Sequence, residues 1–162
     1  MTAVTPVARP AFGLPGRIQA ANSKPRSIAI VGLGDGGAAI ARQVANEALG
    51  NVEVHVLAKS AAGGDAVAAI KAGGGDLQRD LTAADMIFIV ARRGDDVGLA
   101  PVVSGIAHSR NHPVTGLYIV PGDAAAANEE DETLRTLRSA VEMLVIVSDE
   151  SYVGAMVSAL AN

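Results

Sequence analysis

The sequence predicts an α/β fold in three layers, a mostly parallel sheet of five or six strands with helices on both faces. Two observations carry this. From Ser27 onward, short β-branched runs alternate with Ala-rich stretches of helical character. The run at residues 86–90 is fully apolar, as a strand covered on both faces should be. Repeated strand–helix alternation of this kind builds a parallel sheet. No internal repeat or linker divides residues 27–162, so they form one domain.

The elements follow in order. Ile28-Ala29-Ile30-Val31 is the first strand, and residues 38–49 read as a helix with Gly50 placed to end it. Residues 52–57 form the second strand. A less regular Gly-rich stretch follows, with a helix over 65–72 and a loop at Gly73-Gly74-Gly75. Residues 86–90 are fully apolar and form a strand, followed by a helix over 99–109 that tolerates Pro101 in its first turn. Residues 114–120 form the next strand, stopped by Pro121-Gly122. Residues 129–142 form a charged amphipathic helix with Leu134, Leu137 and Val141 on one side. Residues 144–147 are the last strand. A short helix over 151–160 closes the chain, capped by Asp149 or Ser151.

Composition removes several function classes. A chain of 162 residues buries a sizeable core without disulfides or metal. Two Tyr, two Phe and no Trp leave too few rings to stack single-stranded nucleic acid. With no Cys there is no disulfide framework, thiolate zinc site or cysteine nucleophile. No apolar run approaches the roughly 20 residues of a membrane-spanning helix, and no secretory apolar region is visible at the N-terminus. The expectation is a cytoplasmic protein with no nucleic-acid partner and no membrane span.

Charge is uneven. Residues 1–26 hold Arg9, Arg17, Lys24 and Arg26 with no acid, a charge of +4 that leaves −8 on the rest. Pro6, Pro10, Pro15 and Pro25 block both a continuous helix and a sheet ladder there. This segment reads as a basic arm, either solvated or docking on an acidic partner. The three histidines offer little: His108 and His112 stand four apart, but Pro113 ends any helix between them. Glu129-Glu130-Asp131-Glu132 complements a helix dipole at its positive end.

Val31-Gly32-Leu33-Gly34-Asp35-Gly36-Gly37 follows the first strand and opens the first helix. A G-x-G-x-x-G loop in that context lets backbone amides approach a phosphate at a helix N-terminus, in a Rossmann-like sheet. A dinucleotide site also wants an acid at the end of the second strand. Here Lys59 stands near that position, suiting either a 2′-phosphate or solvent. A glycine turn kept only for close strand–helix packing is the other reading.

Later segments narrow the choice. Ala84 to Ala91, then Gly98 to Ala107, are similar to the strand and helix that flank the tubulin signature in FtsZ, the bacterial tubulin homologue. Residues 111–121 look like that family's next strand, and 141–149 resemble the one after. Residues 28–37 resemble its first strand and phosphate loop. The resemblance runs in register over residues 27–155. It implies a guanine-nucleotide site, for GTP or GDP, formed by Gly32, Gly34, Asp35, Gly36 and Gly37 with Arg92, Arg93, Gly94 and Gly98. It also implies association with FtsZ or self-association, and a link to cell division.

The departures bear on activity. The glycine-threonine signature falls on residues 92–98, where no threonine stands and Asp95 and Asp96 bring carboxylates toward phosphate charge. Arg92 and Arg93 could compensate as phosphate ligands. Two other readings compete: a self-paired solvated loop, or a hard-cation site of Asp35, Asp95 and Asp96. Residues 123–128 do not match the family's glutamate and arginine after its fifth strand. The central helix, acidic loop and second domain have no counterpart in this chain. The expectation is a binding or regulatory module with residual GTPase at most, and no catalytic residue is assigned. The alternatives are a small NAD(P)-binding domain or oxidoreductase, and a structural partner protein with a dead nucleotide pocket.

Overall fold

The computed structural model describes residues 25–57, 76–122 and 131–161. Lys59, the helix expected over 65–72, the Gly73–Gly75 loop and most of the basic arm lie outside the described residues. Five strands are described: β1 (Ile28–Leu33), β2 (Val52–Leu57), β3 (Met86–Arg92), β4 (Val114–Ile119) and β5 (Met143–Val147). All pair in parallel, in the order β2-β1-β3-β4-β5. The five described helices are α1 (Gly34–Asn46), α2 (Leu77–Ala83), α3 (Ala100–His108), α4 (Glu132–Ala140) and α5 (Ser151–Ala161). The three-layer α/β architecture expected from the sequence is therefore present.

Strand side chains alternate between two cores, as a pleated backbone requires. Ala29, Val31, Leu33, Ile87, Ile89 and Tyr118 face α2, α3 and α4. Ile28, Ile30, Phe88, Val90, Leu117 and Ile119 face α1 and α5. Both faces of β1 and β3 are thus buried, which is why their sequences are apolar without alternation.

Boundaries differ from the sequence reading where a distant partner intervenes. Helix α1 begins at Gly34 rather than near Ala38, and stops at Asn46 before Gly50. Ala48, not Gly50, takes the left-handed conformation, at φ 51°. Helix α4 starts only at Glu132, because the Asp131 carboxylate caps it by accepting from Leu134 N–H at 3.1 Å. Helix α2 was not anticipated: it is short, carries a mixed sequence and depends on Asp76, which accepts from Arg79 N–H. Its Asp80 meets His55 Nε2 of β2 at 3.0 Å, so His55 is a packing residue of the core edge. Arg26, assigned to the arm, is joined to the domain: its carbonyl accepts from Asn51 Nδ2 at 2.7 Å. The same amide group donates to the Ala161 carbonyl, tying the entries of β1 and β2 to the end of α5.

The N-terminal ends of β4 and β5 are held by Glu142. Its Oε2 accepts from Val114 N–H at 2.7 Å, and its Oε1 pairs with His108, the last residue of α3. The hydrogen bond from Val114, more than the neighbouring His108, holds the Glu142 carboxyl below its usual value of 4.5. A carboxyl whose folded value is depressed contributes stability above its unfolded value, and that contribution is lost as pH falls through the folded one. Glu142→Gln should therefore cost stability near neutrality and leave it unchanged at pH below the folded value, so that the profile flattens across that range in urea titrations.

Candidate functional site

Strand β1 lies between β2 and β3, so the crossovers on its two sides leave in opposite directions. Open α/β sheets place ligands in the crevice at the C-terminal ends of the strands at such a point. Two loops meet there: the β1–α1 junction and the segment from Arg93 to Leu99 that joins β3 to α3.

Helix α1 starts without a side-chain cap of its own, since its N-cap residue is Leu33. Its first-turn amides need acceptors from elsewhere. Asp95 supplies them. Its Oδ1 accepts from Gly36 N–H at 3.0 Å, and its Oδ2 accepts from Gly37 N–H at 2.8 Å and Arg92 N–H at 2.6 Å. A carboxylate placed on helical amides is stabilised by charge-assisted hydrogen bonds and by the helix dipole. Those are the interactions by which such loops hold phosphate.

The glycines fit this arrangement closely. Gly34 sits at φ +71°, and a Cβ there would stand 2.5 Å from Asp95 Cβ. A Cβ on Gly37 would stand 2.2 Å from the Val90 carbonyl oxygen, so α1 crosses β3 at a distance only glycine permits. Gly32 lies inside β1, paired with Val56 and Val90. The loop's glycines therefore serve α1–β3 packing and admit Asp95.

Of the other residues singled out from sequence, Asp35 is exposed on the first turn of α1. Arg92 points toward the entry of α5, where Nη1 pairs with Glu150 Oε1 at 3.0 Å. Arg93, Gly94 and Gly98 lie on the far side of the Asp95 loop. They line a cleft of about 740 Å³ shared with Glu132, Thr133 and Thr136 of α4. The structure thus brings together Gly34, Gly36, Gly37 and Arg92, and separates them from the cleft by Asp95 itself.

The cleft is built on two tethers. Thr133 Oγ1 donates to the Asp95 carbonyl at 2.8 Å, which fixes the loop to α4. The buried Tyr118 hydroxyl donates to Asp131, whose other oxygen caps α4. Burial, then the neighbouring Asp131, push the Tyr118 phenol well above its ordinary range, so it remains a donor. Asp96 Oδ1 accepts from Gly98 N–H at 3.0 Å and shapes the loop's exit. Around Arg93 the lining carries Asp96, Asp131 and Glu132, a negative balance that disfavours a phosphate.

The hard-cation alternative is not assembled. Asp35 is exposed on α1, Asp95 directs both oxygens at amides, and no group of three His, Cys, Asp or Glu suited to a metal occurs among the described residues. His108 ends α3 and pairs with Glu142, while Asn111 at φ 57° turns the chain before His112. No described helix is long and apolar enough to cross a membrane.

Sequence reasoning missed Asp95 as an acceptor, and with it Thr133, Glu150 and the Tyr118–Asp131 pair. One signal was present: a leucine where α1 wants a capping residue, with two aspartates after the strand that neighbours it. No protein-family model and no curated protein matches the chain.

Two substitutions test this geometry. Asp95→Ala leaves three amides without their acceptor and should cost about 2–4 kcal/mol in chemical denaturation, with Asp95→Asn costing less. Gly37→Ala forces α1 away from β3 and should cost at least about 3 kcal/mol. Gly105→Ala, where a Cβ meets open space within α3, should be neutral or stabilising by up to about 1 kcal/mol.

Proposed function

We propose that this chain is a binding or regulatory module built on a divergent FtsZ-like nucleotide domain, and that Asp95 stands where a nucleotide phosphate would. The observation that carries the reading is the set of three backbone N–H groups donated to one carboxylate at the topological switch point. An enzyme of this architecture needs those amides free for its substrate's phosphates. Here they already hold an anion of the chain's own. A guanine nucleotide gains access only when the Asp95 loop is displaced, which also costs the Thr133 tether. Such a module acts through association, with an FtsZ-type subunit or another copy of itself as the class of partner.

Calorimetric titration with GTP, GDP and NADP separates the readings. The unmodified chain should show no binding of GTP or GDP at micromolar concentrations, and Asp95→Ala should bind GDP at least about tenfold more tightly than the unmodified chain. Micromolar binding of GTP or GDP by the unmodified chain would show the phosphate position open. Tight NADP binding without GTP binding would replace the FtsZ-type reading by a dinucleotide site.

A further inference from the structure

The sheet has two edges, and they are built differently. Edge strand β2 carries the exposed Glu53 and is bound to α2 through His55 and Asp80, features that discourage strand addition. Edge strand β5, Met143-Leu144-Val145-Ile146-Val147, has no charge, proline or bulge, and none of its residues is fully buried. Among the described residues no strand pairs with its outer side.

The flank beside that edge is also apolar. Met143 and Tyr152 are the two large hydrophobic residues described as exposed, at 60% and 50%. Val145 and Val147 pack toward the α1–α5 core, and Met143, two positions before Val145, shares their face. On α5, Val153 and Val157 are buried, and Gly154 lies against Glu47 at the end of α1. Helical spacing then turns Tyr152 and Met156 away from α1, toward the β5 side. Met143, Val145, Val147, Tyr152 and Met156 form one partly exposed apolar strip, and α5 carries no charged residue.

We infer that this edge is the self-association surface of the protein, joining two copies antiparallel across a two-fold axis at Val145. The backbone sets the register. Val120 N–H donates to the Val147 carbonyl, so the polar groups of Val147 face β4. By alternation those of Val145 also face β4, and those of Leu144 and Ile146 face outward. An antiparallel copy satisfies all four outward groups when Leu144 of one copy pairs with Ile146 of the other, which centres the axis on Val145. Met143 then lies opposite Val147 of the second copy, beside the flank that carries Tyr152.

Charge fits the same symmetry. Helix α4 runs from Glu132 in its first turn to Arg138 in its last, and both are exposed. It packs over β4 and β5, so the two-fold axis brings two α4 helices side by side and antiparallel. The acidic end of each then approaches the basic end of the other. The strand and α5 bring no charge into the contact, which removes the penalty that a net-negative chain imposes on meeting itself. This inference stands on the edge and its flanks and does not require the nucleotide reading.

The chain contains no cysteine, so an introduced thiol reports on one place alone. Residues facing each other at Val145 form a non-hydrogen-bonded pair with Cα atoms about 4.5 Å apart, within the range a disulfide spans. Val145→Cys should form a disulfide-linked dimer on mild oxidation, while Glu53→Cys on the opposite edge should not. Sedimentation velocity of the full chain should show a dimer at about 100 μM. Met143→Lys, at an exposed site, should shift it toward monomer without lowering its melting temperature at concentrations where the unmodified chain is itself monomeric. A monomeric unmodified chain at that concentration, or equal cross-linking through Glu53→Cys, would overturn the assignment.

Discussion

One carboxylate joins the two halves of the sheet's central crossover. Helix α1 begins on a leucine that cannot cap it, and its amides are satisfied from the neighbouring loop by Asp95. Because Asp95 also accepts from Arg92 N–H, it closes its own loop while closing the helix. The same residue is tethered through its carbonyl to Thr133 of α4. Helices on opposite faces of the sheet are thereby referenced to one side chain at the C-terminal ends of β1 and β3. The close crossing of Gly37 over the Val90 carbonyl is the steric counterpart of this electrostatic link.

That arrangement gives the glycine loop a different meaning from the one its spacing suggests. A helix N-terminus beside a glycine turn attracts an anion whatever its source. A bound nucleotide supplies it intermolecularly; here it is covalently part of the fold, so it is present at a high effective concentration. The cleft on the other side of Asp95 does not restore a phosphate site, since Arg93 is outnumbered there by Asp96, Asp131 and Glu132. The geometry fixes the shape of the loop that Asp95 closes.

Much of the architecture was legible in the sequence. The β-branched runs at residues 28–31, 52–57, 86–90, 114–120 and 144–147 each became a strand, because runs of that length and β-branched composition, set between helical stretches, pack into a parallel sheet. Helix α5 was legible, and Asp149, one of its two expected caps, accepts from Ser151 N–H at 2.9 Å. Helix α2 was not, since its seven residues bury only Leu77 and Leu81 and carry too little periodicity to read. The early start of α1 was missed because its capping residue lies 58–59 positions downstream of the amides it serves. The sequence brought the Asp95 carboxylate toward the glycine loop, but not its hydrogen bonds to the α1 amides, nor the pairing of Arg92 with Glu150.

The sequence alone determined the five described strands, four of the five described helices and the parallel sheet with two covered faces, because these follow from local periodicity and from which side chains avoid water. The tertiary structure alone decided what occupies the glycine loop and which strand is left at the edge. An aspartate after β3 reads the same whether it faces solvent, a cation or the amides of α1, and only the approach of the two loops selects among these. Likewise Met143-Leu144-Val145-Ile146-Val147 has the composition of a central strand. Its place at the end of the order β2-β1-β3-β4-β5, with no described strand on its outer side, is a property of strand neighbours far apart in the chain.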